Sequence, residues 1–215
     1  MFVVKPEVTR ESSVERMHTT NLIRCDWGRV PDSMIIYHDT EWGVPLYEDR
    51  TLFEFLILEG MQAGLSWRTV LNKRKAFRQA FDGFEAEKIA RYGRAKVRQL
   101  MGDAAIIRNR LKIEAAIANA QAFLNVQEDV GSFSRFMWDL VDGKPIVNRW
   151  RRMKELPART PKSDRMSKIL QQRGFRFVGS TICYAHMQAT GMVNDHLVNC
   201  FRYRQVQRLV RLAHS

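Results

Sequence analysis

The sequence predicts an all-α fold, and three observations carry that expectation. Apolar residues recur at helical spacing, as Trp67, Val70, Leu71, Phe77 and Phe81 in one stretch and Ile113, Ala116, Ile117, Ala120 and Leu124 in another. Residues that cap or stop helices bracket such stretches, with Ser66, Ser132, Ser163 and Ser180 ahead of them and Gly64, Gly143 and Gly174 at the breaks. No convincing set of alternating strands, internal repeat or low-complexity block interrupts the pattern.

At 215 residues the chain is long enough to bury a core in one sizeable domain or two small ones without staples. Its net charge of +12, from 35 Lys plus Arg against 23 Asp plus Glu, favours a polyanion partner. Nucleic acid comes first and an anionic membrane second, with plain solubility as the alternative. No apolar run approaches the ~20 residues of a membrane span, and the N-terminus lacks the charged start and apolar stretch of a secretory signal. A cytoplasmic protein without a membrane partner is expected. Three cysteines, Cys25, Cys183 and Cys200, are an odd count that argues against a disulfide framework and leaves metal ligation or inert burial.

Along the chain, residues 1–20, His18 included, show no sustained period and are expected to form a flexible extension before a domain over 21–201. Asn21 to Pro45 gathers Cys25, Trp27, Tyr37, His38 and Trp42 between glycines and reads as mostly irregular; such aromatics line a site or cap the core. Asp49 is a candidate N-cap for the apolar run Leu52–Leu58, which ends on Glu59 just before Gly60 and Gly64. A carboxylate there is either a functional acid or a group that satisfies the turn. Ser66 caps the Trp67 helix, whose polar face is basic.

Short helical pieces, Glu85–Arg91 and Arg94–Met101, lead through a basic connection to a helix reaching about Asn125. Amides at the start of that helix, with Arg108, Arg110 and Lys112 nearby, would hold one or two DNA phosphates; a solvated helix face is the alternative. Helices Phe133–Val141, Arg165–Arg173 behind Ser163, and Ser180 to Gly191 follow, with Arg149–Lys162 as a basic connecting loop and 202–215 as a basic tail, helical over Arg202–Arg208.

Two cysteines sit near histidines in mirrored order, Cys25-x12-His38 and His196-x3-Cys200. Four such residues suit tetrahedral Zn²⁺, and a closed set of four would be structural. The second pair would share one face of a helical turn and the first would come from loops, so that the ion fastens the N-terminal aromatic segment to the C-terminal one. Two buried cysteines with two hydrogen-bonded histidines is the alternative.

Several blocks in order, Arg24-Cys25-x-Trp27, Tyr37-His38-Asp39-x-Glu41-Trp42-Gly43-Val44-Pro45, Leu58-Glu59-Gly60-x-Gln62-Ala63-Gly64-Leu65-Ser66-Trp67, Arg173-Gly174-Phe175-x-Phe177-Val178-Gly179 and Val193-Asn194-Asp195-His196, resemble the DNA-3-methyladenine glycosylase I family from about Arg24 to Cys200. The resemblance implies the helix-hairpin-helix DNA glycosylase fold, with the hairpin near 100–115, and a structural zinc on Cys25, His38, His196 and Cys200. It also implies excision of 3-methyladenine from alkylated double-stranded DNA in base excision repair.

The lesion would leave the stack for a pocket in which Trp27, Tyr37 and Trp67 supply aromatic faces and Glu59 reads the base edge, with Trp42 as a further wall. Leu65 is the expected apolar wedge for the gap left behind, against a role as an ordinary core leucine. Water is the expected nucleophile in a monofunctional hydrolase acting as a monomer, and the family lacks the aspartate of the wider superfamily. The chain departs from the family at Ala105 and Leu111, where hairpin glycines are usual, at Met34, where an aromatic residue is common, and at Met61, where glutamine is. A broader-range alkylpurine glycosylase and a non-catalytic damage-binding module on the same scaffold are the competing readings.

Overall fold

The computed structural model describes residues 22–212; the expected extension over 1–20 lies outside them. Ten α-helices carry the described chain: α1 (Asp32–Thr40), α2 (Asp49–Gln62), α3 (Trp67–Ala80), α4 (Ala86–Ile89), α5 (Arg94–Gly102), α6 (Arg110–Val130), α7 (Phe133–Asp139), α8 (Pro161–Gln172), α9 (Ser180–Ala189) and α10 (Phe201–Leu212). Two strands of two residues each, β1 (Ile146–Val147) and β2 (Val193–Asn194), pair in parallel with Ile146 opposite Val193. The fold is all-α in every other respect among the described residues.

Helix α2 is the axis of the core. Every residue from Leu52 to Met61 is buried, because α3, α6, α7 and α9 pack around it. An apolar run with no polar face is what such a position requires, and each large side chain so buried contributes about 1.5–3 kcal/mol. Phe53 packs at a tilt against Phe123 of α6, and Phe123 against Phe133 of α7, at centroid separations of 4.9 and 4.8 Å. Behind α2, Gly64 takes φ +79 and Ser66 caps α3 by accepting from the Thr69 amide at 3.2 Å, as the sequence leads one to expect.

Several boundaries differ from expectation, each for a local reason. Asn21–Pro45 contains α1, which buries Met34, Tyr37 and His38 at i, i+3 and i+4. β-Branched and aromatic residues depress its helix propensity, and packing overrides that weak preference. Glu48, not Asp49, caps α2, accepting from the Arg50 and Thr51 amides. Thr160, with Pro161 at the first turn, starts α8 ahead of Ser163, whose hydroxyl accepts from the Thr160 amide in return. The expected Arg149–Lys162 loop holds a 3-10 turn, Met153–Glu155. Helix α6 runs past Asn125 to Val130, where Gly131 in the left-handed region stops it.

Asp49 is freed to do distant work. Its carboxylate accepts from the Phe133 amide at 2.9 Å, the Ser134 amide at 2.7 Å, the Ser132 hydroxyl at 3.0 Å and Gln127 Nε2 at 2.7 Å, pinning the start of α7 to the start of α2. Burial pushes its pKa up, but hydrogen bonds from Gln127, Ser134, Phe133 and Ser132 outweigh this and hold it below the usual carboxylate range. A depressed pKa adds stability above the unfolded value that disappears as pH falls through the folded one. Asp49→Ala is therefore expected to lower unfolding free energy by about 2–4 kcal/mol at pH 7, with the difference shrinking below about pH 4, as measured by denaturant unfolding across pH.

Candidate active site and metal centre

A cavity of about 290 Å³ opens beside the C-terminal half of α2. Trp27 reaches it from the 3-10 turn Asp26–Gly28, Met34 and Tyr37 from α1, Trp42 from the turn after α1, Glu59 and Gln62 from α2, and Trp67 from the first turn of α3. The four aromatic residues expected to form a pocket are thus brought together. Trp27 meets Trp42 edge-on at 4.8 Å and 80°, and Tyr37 lies 5.3 Å from Trp67. Sequence reasoning missed part of the wall: Met153 and Leu156 from the 3-10 turn and its end, and Ala185 and Gln188 from α9. The helical spacing of Met153 and Leu156 inside an otherwise basic loop was the one signal for the first pair.

The electrostatics single out Glu59. Helix α2 carries two buried carboxylates, and the fold treats them oppositely. Glu54 receives Arg74 Nε at 2.6 Å and Arg78 Nη2 at 2.9 Å. Glu59, 3% exposed, has no ion pair among the described residues, and its Oε2 has no hydrogen-bond partner. Burial alone raises its pKa to about 8. Trp67 Nε1 is a second buried polar atom without a partner. Buried groups left unsatisfied cost about 1–3 kcal/mol each, and their convergence on one cavity fits a ligand that completes them. Tyr37 is fully enclosed, and burial followed by the nearby Glu59 charge pushes its hydroxyl pKa well up.

The second feature lies directly behind the aromatic wall. Cys25, His38, His196 and Cys200 are all buried, and their ligand atoms lie within 4.8 Å of one another. Cys25 Sγ is 3.8 Å from His196 Nδ1, and Cys200 Sγ is 3.5 Å from His38 Nε2 and 3.6 Å from His196 Nδ1. A tetrahedral ion bound at about 2.3 Å to sulfur and about 2.0 Å to nitrogen has S···N edges of roughly 3.5 Å, so the cluster fits one. His38 comes from helix α1, not from a loop, and His196 and Cys200 sit in turns before α10, not on a helix.

The far ring nitrogens are committed elsewhere. His38 Nδ1 faces Asp39 Oδ1 at 2.7 Å, and His196 Nε2 faces the Trp42 carbonyl at 3.0 Å. Each partner accepts, which places a proton on that nitrogen and a lone pair toward the cluster. Arg24 holds Asp39 through Nε and Nη2. Gly28 belongs to the same construction, since a Cβ there would meet His38 Cγ at 2.5 Å.

Residues expected on a DNA-binding face separate into two groups. Leu65 is 43% exposed at the tip of the α2–α3 turn, and Arg108 in the connection between α5 and α6 and Arg110 at the first position of α6 are exposed. Lys112 does not: its ammonium is buried and donates to the Met61 carbonyl at 2.8 Å and the Ala63 carbonyl at 2.6 Å. A cation at the C-terminal end of α2 satisfies carbonyls that the helix leaves open, so Lys112 joins α6 to the lip of the cavity. Ala105 and Leu111 are exposed, and the Ala105 amide donates to Asp103 Oδ1 at 2.8 Å. Among the described residues, no helix is long and apolar enough to cross a membrane.

Comparison with known proteins agrees with this geometry. The Escherichia coli (strain K12) protein DNA-3-methyladenine glycosylase 1 is 47% identical over 180 residues, 84% of this chain and 96% of its own. A crystal structure of 3-methyladenine DNA glycosylase I superposes with a TM-score of 0.82 at 47% identity, covering 83% of this chain and 98% of the other. A variant of 3-methyladenine DNA glycosylase I crystallised in complex with 3-methyladenine gives 0.81 at 35% identity, covering 83% and 96%. The family model for methyladenine glycosylase matches residues 27–203, a span that takes in the aromatic cavity, Glu59 and the Cys–His cluster save Cys25. The chain therefore belongs to the methyladenine glycosylase family and, as a glycosylase, is a hydrolase.

Proposed function

We propose that this protein is a cytoplasmic, monomeric DNA-3-methyladenine glycosylase that hydrolyses the N-glycosidic bond of the lesion in alkylated double-stranded DNA. The observation that carries the reading is Glu59, a buried carboxylate without a cation or a full set of partners, set in a cavity walled by Trp27, Tyr37, Trp42 and Trp67. Methylation at N3 leaves the nucleoside positively charged. Aromatic faces and a desolvated carboxylate both favour such a cation, and the exocyclic amine of adenine can donate to Glu59 where the keto oxygen of guanine cannot.

The chemistry asks little of the protein once the base is held. Breaking the bond from C1′ returns its electron pair to the base, which departs neutral, while water adds to the sugar carbon and loses a proton to the solvent. No acid is needed for the leaving group, and binding energy can favour the departing state directly. No lysine lines the cavity among the described residues, in keeping with water as the nucleophile and no Schiff base.

To reach the cavity the base must leave the stack. In this reading Leu65 fills the vacated gap and Arg108 and Arg110 contact phosphates at a hairpin of α5 and α6, and the exposure of all three side chains supports it. In this reading residues 21–201 form the catalytic unit, and the basic residues of 202–215 add positive charge for DNA. The Cys25, His38, His196 and Cys200 cluster holds one structural zinc; four protein ligands close the coordination, so the ion supplies no step of the reaction and holds Trp27 and Trp42 from behind.

Chromatography of bases released from methylated duplex DNA tests the reaction. Release of 3-methyladenine, reduced at least about a hundredfold by Glu59→Gln, is the expected result; equal release of 7-methylguanine would favour a broad-range enzyme, and no release a damage-binding module. The same variant tests burial of the acid. A raised carboxyl pKa costs nothing while the group is protonated, and the cost grows as pH climbs from the unfolded value to about 8. Glu59→Gln is therefore expected to match its parent in stability near pH 4 and to exceed it at pH 8 by on the order of 3 kcal/mol, read by denaturant unfolding. Elemental analysis should find about one zinc per chain, with Cys200→Ser or chelation lowering the thermal midpoint by several degrees.

A further inference from the structure

Glu59 is not alone among buried carboxylates near the cavity. Asp195 follows β2 and is 1% exposed. Four neutral groups donate to it: Asn148 Nδ2 and Trp150 Nε1 to Oδ1, each at 2.7 Å, and the Tyr184 hydroxyl and Gln188 Nε2 to Oδ2, at 2.5 and 2.8 Å. No ion pair among the described residues includes it. Gln188 also lines the base cavity. Its backbone carbonyl is occupied by the Gly43 amide at 3.0 Å.

The orientation of the Gln188 side chain follows from what a carboxylate can do. Asp195 only accepts, so the amide nitrogen must face it and Oε1 must point away; the reverse orientation would set two acceptors against each other. Gln188 Oε1 has no protein partner among the described residues, and it is not among the sealed polar atoms left unsatisfied. An N–H donated to a buried anion draws electron density toward the carbonyl end and strengthens it as an acceptor.

We propose that Gln188 is a specificity-determining residue of the base cavity, its Oε1 accepting a hydrogen bond from an amino-bearing purine edge and disfavouring a keto-bearing one, with Asp195 as the residue that positions it. The inference rests on the base-reading role given to the cavity above. An exocyclic amine carries two N–H groups, and Glu59 and Gln188 offer two acceptors. A keto oxygen in the same place would gain no bond from Gln188 and would face its Oε1 acceptor to acceptor. Asp195 does more than turn the amide. It also holds Asn148 and Trp150, and Trp150 packs with Met153 and Leu156 against the same apolar cluster.

The test is calorimetric binding of free 3-methyladenine and free 3-methylguanine to the full chain, as wild type, Gln188→Met, Asp195→Asn and the double variant. Met keeps the length of the side chain and removes both polar ends. The wild type is expected to prefer 3-methyladenine, and Gln188→Met to reduce that preference about tenfold through weaker 3-methyladenine binding. Asp195→Asn should reduce it similarly, and the double variant no further, because both changes act on one hydrogen bond. A preference within about twofold of wild type in Gln188→Met, or equal weakening of both bases, would overturn the assignment. Should Asp195→Asn lose its metal or its cooperative unfolding, Gln188→Met decides alone. Release from methylated duplex DNA is measured beside binding: a wild type that binds 3-methyladenine and releases none would overturn the glycosylase reading while the Gln188 comparison still stands.

Discussion

Helix α2 is buried on every side from Leu52 to Met61, and that constraint governs the rest of the molecule. A helix with no wet face has no place to leave a charge, so each carboxylate on it must be neutralised, paired or kept at a cost. Glu54 is paired, drawing Arg74 and Arg78 in from α3, and Arg74 in turn lies 4.8 Å over the Phe55 ring and reaches Glu41. Glu59, a turn and a half further on, receives no such help. Its burial is stability forgone at one point of the core, and the surrounding aromatic packing is what the fold sets against it. Unsatisfied polarity inside a fully packed axis is hard to account for unless something else completes it.

Closure of the chain ends is the second requirement. Cys25 and Cys200 are separated by most of the sequence, yet both lie at the back of the aromatic wall. The His38 ring packs 5.2 Å from Trp27 and 6.3 Å from Trp42, so the groups that could hold a metal are also the groups against which the cavity rests. Arg24 on Asp39, Asp39 on His38, and the Trp42 carbonyl on His196 extend that support outward. The Trp27 and Trp42 side of the cavity needs such a fastening, because both rings come from short turns and not from a helix long enough to hold a ring in place by itself.

Much of the fold was legible because helices announce themselves locally. The α3 and α6 periods, the Ser66 and Ser132 caps and the Gly64 turn were all readable, since spacing and cap chemistry act within a few residues. The errors came where a residue served a distant partner. Asp49 looks like a cap and is one, but for α7 across the core, while its neighbour Glu48 caps α2. Lys112 sits in a basic run and points inward to the end of α2. Helix α1 was hidden because its residues have weak helical preference and gain their order from what they touch.

The all-α class, the expected aromatic and acidic residues of a pocket, the four candidate metal ligands and, through motif resemblance, the family could all be read from the chain alone. Residue types at local spacing suffice for these, because capping, amphipathic period and ligand chemistry are properties of short stretches. It took the packed fold to show that Glu59 and not Glu54 is the unpaired acid, that Lys112 points inward to the end of α2, that Met153, Leu156 and Gln188 line the cavity, and that Asp195 stands behind Gln188. Those outcomes depend on which donors and cations other helices bring within about 3 Å, and no local pattern encodes the choice of a partner far away in the chain.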